Sequence, residues 1–598
     1  MNLAVENNEN NAPPPQSSAP QSYAPPPPQP SAPQSYAQPQ PSAPQSYAQP
    51  QPYAPPPQPS APPQPYAPPP NIAPAPYMPP GAPQYPGAAQ GYPSLAVQHK
   101  PENAFKPDTT DFLFALIAFV IGYMFSRWVF FLWEGWGVAA FTIAYLLVTV
   151  VYLTKKGVFV NNPASWFWLA VTLATGVSYA FWDNNGFIGI RAMFLFCSAV
   201  YFVIVASGRA IIGKTGNYLL ADGVNAVILV PFRNFFNQYV SFTALGKQAK
   251  RGKLLPGILG VLLAVVLLTI LIPMLERADS GGFGMILDVF ADVLRFIDAS
   301  FVLYALFAIP VAAYLYGLIS GVAHKKGTDL IKPESVEKTV AGMRFLHPTT
   351  VYIVLGAACG LYLVFLISQA PYFFSAFTGR RPEGWLIYSE YARQGFFELC
   401  GIAAINLVIL TIGNVTCKKK RASSRTLKVF NIVLAVITLV LISTAVSKMA
   451  LYIGAYGLTM PRLLPCAFML FLSAVFIALI ALQKWDFSIV RLALVTGSLI
   501  LCVLCLSNPD ALVVRYNTDR YLSGTLAEYD MEVLHRTGNA GVKPALEVYA
   551  ATDDAQLKHD ILWFLMHQQS YIACRESHQA SLESEQAGNA LSQSGLIR

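Results

Sequence analysis

From Phe112 to Leu506 the chain alternates between long apolar stretches and short polar loops. An apolar helix of about 20 residues is what about 30 Å of hydrocarbon requires, so this rhythm predicts repeated membrane crossings. We place eleven spans at 111–131, 137–154, 165–182, 187–207, 255–275, 300–322, 350–370, 396–416, 428–448, 463–482 and 489–507. Two further apolar stretches fall short of a crossing. Tyr218–Tyr239 contains Asp222, Pro231 and Arg233 and is expected to lie along the cytoplasmic surface. Ile286–Ile297 puts Ile286, Val289, Phe290, Val293 and Ile297 on one face and Asp288, Asp292 and Arg295 on another, the pattern of an interfacial helix.

Charge orients the bundle. Lysine and arginine concentrate in the even-numbered loops, notably Lys155–Lys156, Arg209–Lys253, Lys325–Arg344 and Lys418–Arg425, while the loop Glu276–Asp298 is acidic. Positive loops stay in the cytoplasm, so the N-terminus is expected inside and everything beyond Asn508 outside. The net charge of +8 is modest and forms no long basic face, which argues against nucleic acid as a partner. The 8 cysteines are scattered, mostly within apolar spans, and show no disulfide spacing. Cys502 and Cys505 read as packing residues, and the 7 histidines form no metal-ligand pattern, so no metal or cofactor is expected.

Composition changes sharply at both ends. Residues 10–99 lack Lys, Arg, Asp and Glu, and Ser-Ala-Pro-Gln-Ser-Tyr-Ala recurs from Ser18, Ser31 and Ser42. Proline at this density removes donors and fixes φ, so 1–107 is expected to be a disordered, polyproline-like tether, with a cytoplasmic proline-reading protein as its candidate partner. After the last span, 509–570 is expected to form a small helical extracytoplasmic region with a Gly-Asn-Ala-Gly break. Residues 571–598 are expected to be a polar, frayed tail. The fold class is therefore all-α: a polytopic transmembrane bundle over 108–508, a disordered Pro-rich tail before it and a small helical extension after it.

Three polar stretches fall on the outer side. Entering span eight, Glu390, Tyr391, Arg393, Gln394 and Glu398 precede Asn406 at helical spacing. At the end of span nine, Lys448, Tyr452 and Tyr456 rise along one face, Gly457 and Pro461 end the helix, and Arg462 follows. Beyond span eleven come Asp510, Arg515 and Asn517. A carboxylate near the membrane boundary is costly unless paired, so these groups are expected to meet in one outward-facing cluster, with an anionic lipid or phosphate-bearing ligand as its candidate partner. The alternative is that they are interfacial anchors and helix-end caps.

The same stretches carry a resemblance. Tyr391-Ala-Arg-Gln-Gly-Phe-Phe-Glu-Leu with Asn406, Lys448-Met-Ala-Leu-Tyr with Tyr456-Gly-Leu-Thr and Arg462, and Asn508-Pro-Asp-Ala with Arg515-Tyr-Asn resemble a family signature. It is that of uncharacterised bacterial multi-pass proteins of domain of unknown function four-one-seven-three, related to group four-one-five-three. The resemblance covers roughly 110–540 and implies a protein of the bacterial cytoplasmic membrane without implying a reaction. Lys448 stands where arginine is the more usual residue, which weakens a bidentate anion contact. Three function classes follow: an envelope sensor or scaffold, a permease for a polar or anionic solute, and an outer-leaflet enzyme acting on a lipid-linked substrate.

Overall fold

The architecture was read from a computed structural model. It describes residues 105–248, 299–378, 388–419 and 424–596, apart from 132, 212–214, 326–330 and 332, with isolated positions between 260 and 274; at 245–248, 299, 369–378 and 388–394 only the backbone is described. The expected tether, the span 255–275 and the interfacial helix 286–297 lie outside these residues.

Eleven helical stretches among the described residues are long and apolar enough to cross a membrane. Six make a first group: α1 (Thr109–Trp128), α2 (Gly135–Lys155), α3 (Pro163–Phe181), α4 (Ile188–Ala206), the broken stretch Leu219–Ala244 and α8 (Ala299–Ala323). The broken stretch comprises α5 (Leu219–Val224), a π turn (Asn225–Leu229), α6 (Val230–Arg233) and the start of α7 (Asn237–Gln248). A short exposed α9 (Pro333–Gly342) leads to the second group: α10 (Pro348–Thr378), α11 (Tyr388–Thr416), α12 (Arg425–Tyr456) and α13 (Met460–Ala481). The last crossing, α14 (Ile489–Leu506), packs on both α13 and α3 and so joins the groups. All but one of the sequence-derived spans are present as helices, and the remaining one is the span left undescribed.

Small residues set the closest crossings. A Cβ on Gly122 of α1 would lie 2.8 Å from the Ala308 carbonyl oxygen of α8, so the two backbones nearly touch. At the lysine-rich end of this group the fully buried Asp111 gathers three helices. Its carboxylate accepts from Tyr152 at 2.6 Å, Lys156 at 2.8 Å and His324 at 3.0 Å. In the second group, Asn414 and Asn431 exchange amide hydrogen bonds at 3.1 and 3.0 Å, and Asn406 donates to Thr438 at 3.0 Å. These amides join α11 to α12.

The stretch Leu219–Ala244 is long enough to cross, yet its contacts turn it back. Asp222 accepts from the backbone of Ile211, just past the lysine-rich end of α4. Val227 accepts from Tyr314, ten residues before His324, or about 15 Å of helix inward. The chain then returns: Gln238 donates to the Ala115 carbonyl, and Phe242 meets Phe112, next to Asp111. Both ends therefore lie at the same side. The sequence expectation that this stretch does not cross holds, but its position along the surface is corrected: it dips into the bundle. The Pro231 carbonyl would collide with a Cβ on Gly317, so it can approach so closely only because α8 offers a glycine there.

Beyond α14 five helices fold back over the opposite end: α15 (Pro509–Leu522), α16 (Met531–Thr537), α17 (Val542–Ala551), α18 (Ala555–Ala573) and α19 (Leu582–Ser594). Gly538–Gly541 forms the expected break, as a single 3-10 turn. Val514, Leu534, Val548, Phe564, Leu565, Ala587 and Leu591 form one core. The residues read from sequence as a frayed tail are thus corrected. Ala587 and Leu591 of α19 belong to that core, and 576–580 docks on the bundle. Trp136 donates its backbone N–H to the Ala580 carbonyl at 2.9 Å and its indole N–H to the Ser577 carbonyl at 2.6 Å.

Candidate functional site at the junction of bundle and C-terminal helices

The polar turn between α3 and α4, Trp182-Asp183-Asn184-Asn185-Gly186, is where the two parts join. Asn184 sits in the left-handed region at φ +50°, which asparagine tolerates better than most residues, and its amide donates to the Cys505 carbonyl at 3.2 Å. Asp183 is thereby turned into the C-terminal helices. Its carboxylate accepts from Asn539 at 2.6 Å, Ser581 at 2.7 Å and Arg575 at 3.2 Å. Arg575 reaches on to Glu134, between α1 and α2, at 3.0 Å. Burial raises the Glu134 carboxyl above its usual range against the pull of Arg575.

Two more carboxylates are buried beside this turn. Glu583 of α19 accepts from the Asn508 amide at 2.6 Å and from the Asp183 backbone at 3.0 Å. Burial pushes its pKa up to about 7, with Asn508 opposing the shift. Asp510 accepts from the Gly186 backbone at 3.0 Å, and burial raises it to about 6 against the Gly186 hydrogen bond and the nearby Arg191 charge. Arg191 is itself buried, 3.4 Å over the Tyr179 ring, and donates to the Trp182 carbonyl. Neutral or proton-sharing carboxyls near pH 7 are a common property of functional sites, although structural networks share it.

Above Asp183 and Glu583 lies a cavity of about 430 Å³. Trp182, Ser507 and Asn508 supply its bundle side, Arg515 comes from α15, Asn539 from the 3-10 turn, Lys543 and Glu547 from α17, and Glu583 and Gln586 from α19. Asn508, at φ +48°, caps α15 through its side-chain oxygen while its amide reaches Glu583.

The sequence-derived cluster divides differently. Of it, Arg515 lines this cavity, exposed and bound to Asp519 at 2.9 Å and Glu547 at 2.7 Å. Asp510 belongs to the turn beneath. Tyr452, Tyr456, Arg462 and Asn517 finish the end of α12. Arg462 stacks 4.3 Å over Tyr452 and donates to the Tyr456 carbonyl, while Asn517 makes two 2.7 Å bonds to the backbone of Leu458. Gly457 ends that helix at φ +79°, as its sequence position indicated. Lys448 is buried against Gly395 of α11, Glu398 is exposed, and Asn406 lies along α11 from Glu398 by eight residues, or about 12 Å. The side chains of Glu390, Tyr391, Arg393 and Gln394 lie outside the described residues. The cavity that Arg515 lines includes neither Glu398 nor Lys448. Asp183, Arg575 and Glu583 were missed because Asp-Asn-Asn-Gly reads as ordinary turn chemistry and the other two sit in a segment expected to fray.

No curated protein and no solved structure matches the chain. A family model described as "Domain of unknown function (DUF4153)" matches residues 169–547, from the middle of α3 into α17. This is the group related to the one whose number the signature resemblance carried, and it corrects that number. With more than half of its length matched, this multi-pass helical membrane protein belongs to the DUF4153 family.

Proposed function

We propose that the protein is an envelope sensor or scaffold of the bacterial cytoplasmic membrane, in which the C-terminal helices receive a ligand outside and pass its effect to the bundle. The lysine-rich loops support an orientation with the N-terminus inside and the C-terminal helices outside. One observation carries the reading: the ion and hydrogen-bond network Glu134–Arg575–Asp183–Ser581 ties the C-terminal helices to two interhelical turns of the bundle, beside a polar cavity. Movement of α18 or α19 cannot leave the α3–α4 turn unaffected, which is the physical requirement for coupling.

Hydrogen exchange on the full-length protein in nanodiscs tests this. Arg575→Ala is expected to speed exchange at 182–186; unchanged exchange there contradicts the coupling. Orientation has its own test, because Cys574 is exposed and unpaired. A membrane-impermeant maleimide is expected to label it in intact cells, and labelling only after permeabilisation would reverse the assignment.

A permease is the second reading, favoured by one feature. Asn225 is fully buried at the π turn of the re-entrant stretch, and neither of its amide atoms has a hydrogen-bond partner among the described residues. Buried polar groups at membrane depth mark polar paths. Solute uptake lost on Asn225→Leu at normal membrane abundance would support it, and unaltered uptake would remove it.

A further inference from the structure

The cavity over Glu583 has a floor and a rim of opposite character. Asn539 is 3% exposed; its amide N–H is spent on Asp183, and its side-chain oxygen has no partner among the described residues. Beside it, both oxygens of Glu583 act as acceptors. Arg575 does not line the cavity and is engaged by Asp183 and Glu134. The floor therefore calls for a donor. At the rim, Lys543 is exposed and has no ion-pair partner among the described residues, whereas Arg515 is neutralised by Glu547 and Asp519. The rim therefore has one cation to offer an anion. Trp182 and Ser507 follow directly on the ends of α3 and α14, so the opening lies at the boundary of the hydrocarbon.

Building on the ligand-receiving reading above, we propose that this cavity binds a primary ammonium joined to a phosphate, with the ammonium on Asn539 and Glu583 and the phosphate at Lys543. A phosphoethanolamine lipid headgroup and free phosphoethanolamine share that chemistry. A quaternary ammonium carries no N–H for the Asn539 oxygen, and a purely anionic headgroup would bring its charge against Glu583 and Glu547. An ammonium also stabilises Glu583 as the carboxylate, so binding releases a proton near neutral pH and strengthens as pH rises through about 7.

The test uses the full-length protein in nanodiscs of phosphatidylcholine mixed with an equal amount of phosphatidylethanolamine or phosphatidylglycerol, with retained lipid counted by native mass spectrometry. Phosphatidylethanolamine is expected to be retained about tenfold over either other lipid, a difference of about 1.4 kcal/mol. Asn539→Leu and Lys543→Gln are each expected to remove most of that preference. Lys543 is exposed, so its replacement leaves folding intact and keeps the result interpretable if Asn539→Leu unfolds. A preference that survives Lys543→Gln overturns the proposal, and so does equal retention of phosphatidylethanolamine and phosphatidylcholine when free phosphoethanolamine also fails to bind. Titration with free phosphoethanolamine separates the sources: saturable binding without lipid preference upholds the headgroup chemistry with a soluble ligand, and binding in neither arm overturns it. The exchange experiment on Arg575→Ala contains no added ligand, so failure of the ligand class and failure of the coupling are told apart.

Discussion

The two ends of α12 and α3 show how similar polar residues can do different work. At the end of α12, Arg462, Arg520 and Asn517 are spent on backbone groups: Arg520 donates to the Gly454 carbonyl at 2.6 Å, and Asn517 holds Leu458 on both sides. Such contacts satisfy the carbonyls that any helix leaves unpaired at its C-terminus. At the end of α3, side chains face side chains. Glu134 and Asp183 of the bundle meet Asn539, Arg575 and Glu583, which lie hundreds of residues further along the chain, beside an open cavity. The first arrangement ends a helix. The second joins two parts of the molecule and keeps polar capacity in reserve.

Substitutions should separate these regions by magnitude. The largest effect is expected from Arg575→Ala, which leaves Asp183 and Glu134 buried without their cation; breaking such a pair costs about 3–5 kcal/mol. Thermal unfolding of the purified protein should register it, and a loss below about 1 kcal/mol would place Arg575 with ordinary surface pairs. Asn517→Ala comes next. It removes two buried bonds to Leu458 and should cost about 1–3 kcal/mol while leaving exchange at 182–186 unchanged. A change at 182–186 would merge the two regions into one unit.

The pH dependence is a finer discriminator. Glu583 rises from its ordinary 4.5 to about 7 and Asp510 from 3.8 to about 6, so between those values the folded state holds more protons than the unfolded one. Stability from these groups is therefore fully present below their ordinary values and declines as pH rises toward about 7. Unfolding followed at pH 5 and pH 8 should show the C-terminal helices more stable at the lower pH, with Glu583→Gln flattening the difference. The smallest effect is expected at Arg515. Its partners are exposed, so Arg515→Ala should cost no more than about 1 kcal/mol.

What the sequence made legible follows from which forces act locally. Span positions depend on apolar length alone, and the Gly457 terminus depends on a residue suited to positive φ; both could be read along the chain. The re-entrant path of Leu219–Ala244 was only half legible. Asp222, Pro231 and Arg233 marked it as no ordinary crossing, but the space that admits it is made by Gly317 and Gly321 of α8. The junction was least legible because its partners are distant in sequence. Nothing near Arg575 indicates that Glu134 and Asp183 await it, and the polar composition of 571–598 concealed Ala587 and Leu591, which bury α19. Lys448 and Arg515 were grouped by an expected common side, which does not fix lateral position: Lys448 packs against Gly395, while Arg515 pairs with Glu547 and Asp519.

Asp183 and Arg575 form one connection between the bundle and the C-terminal helices. A double-mutant cycle of Asp183→Asn and Arg575→Met, read as unfolding free energy of the full-length protein, measures that connection directly. We expect the two losses to be strongly non-additive, with a coupling of about 1.5 kcal/mol or more. Losses that simply add would contradict it.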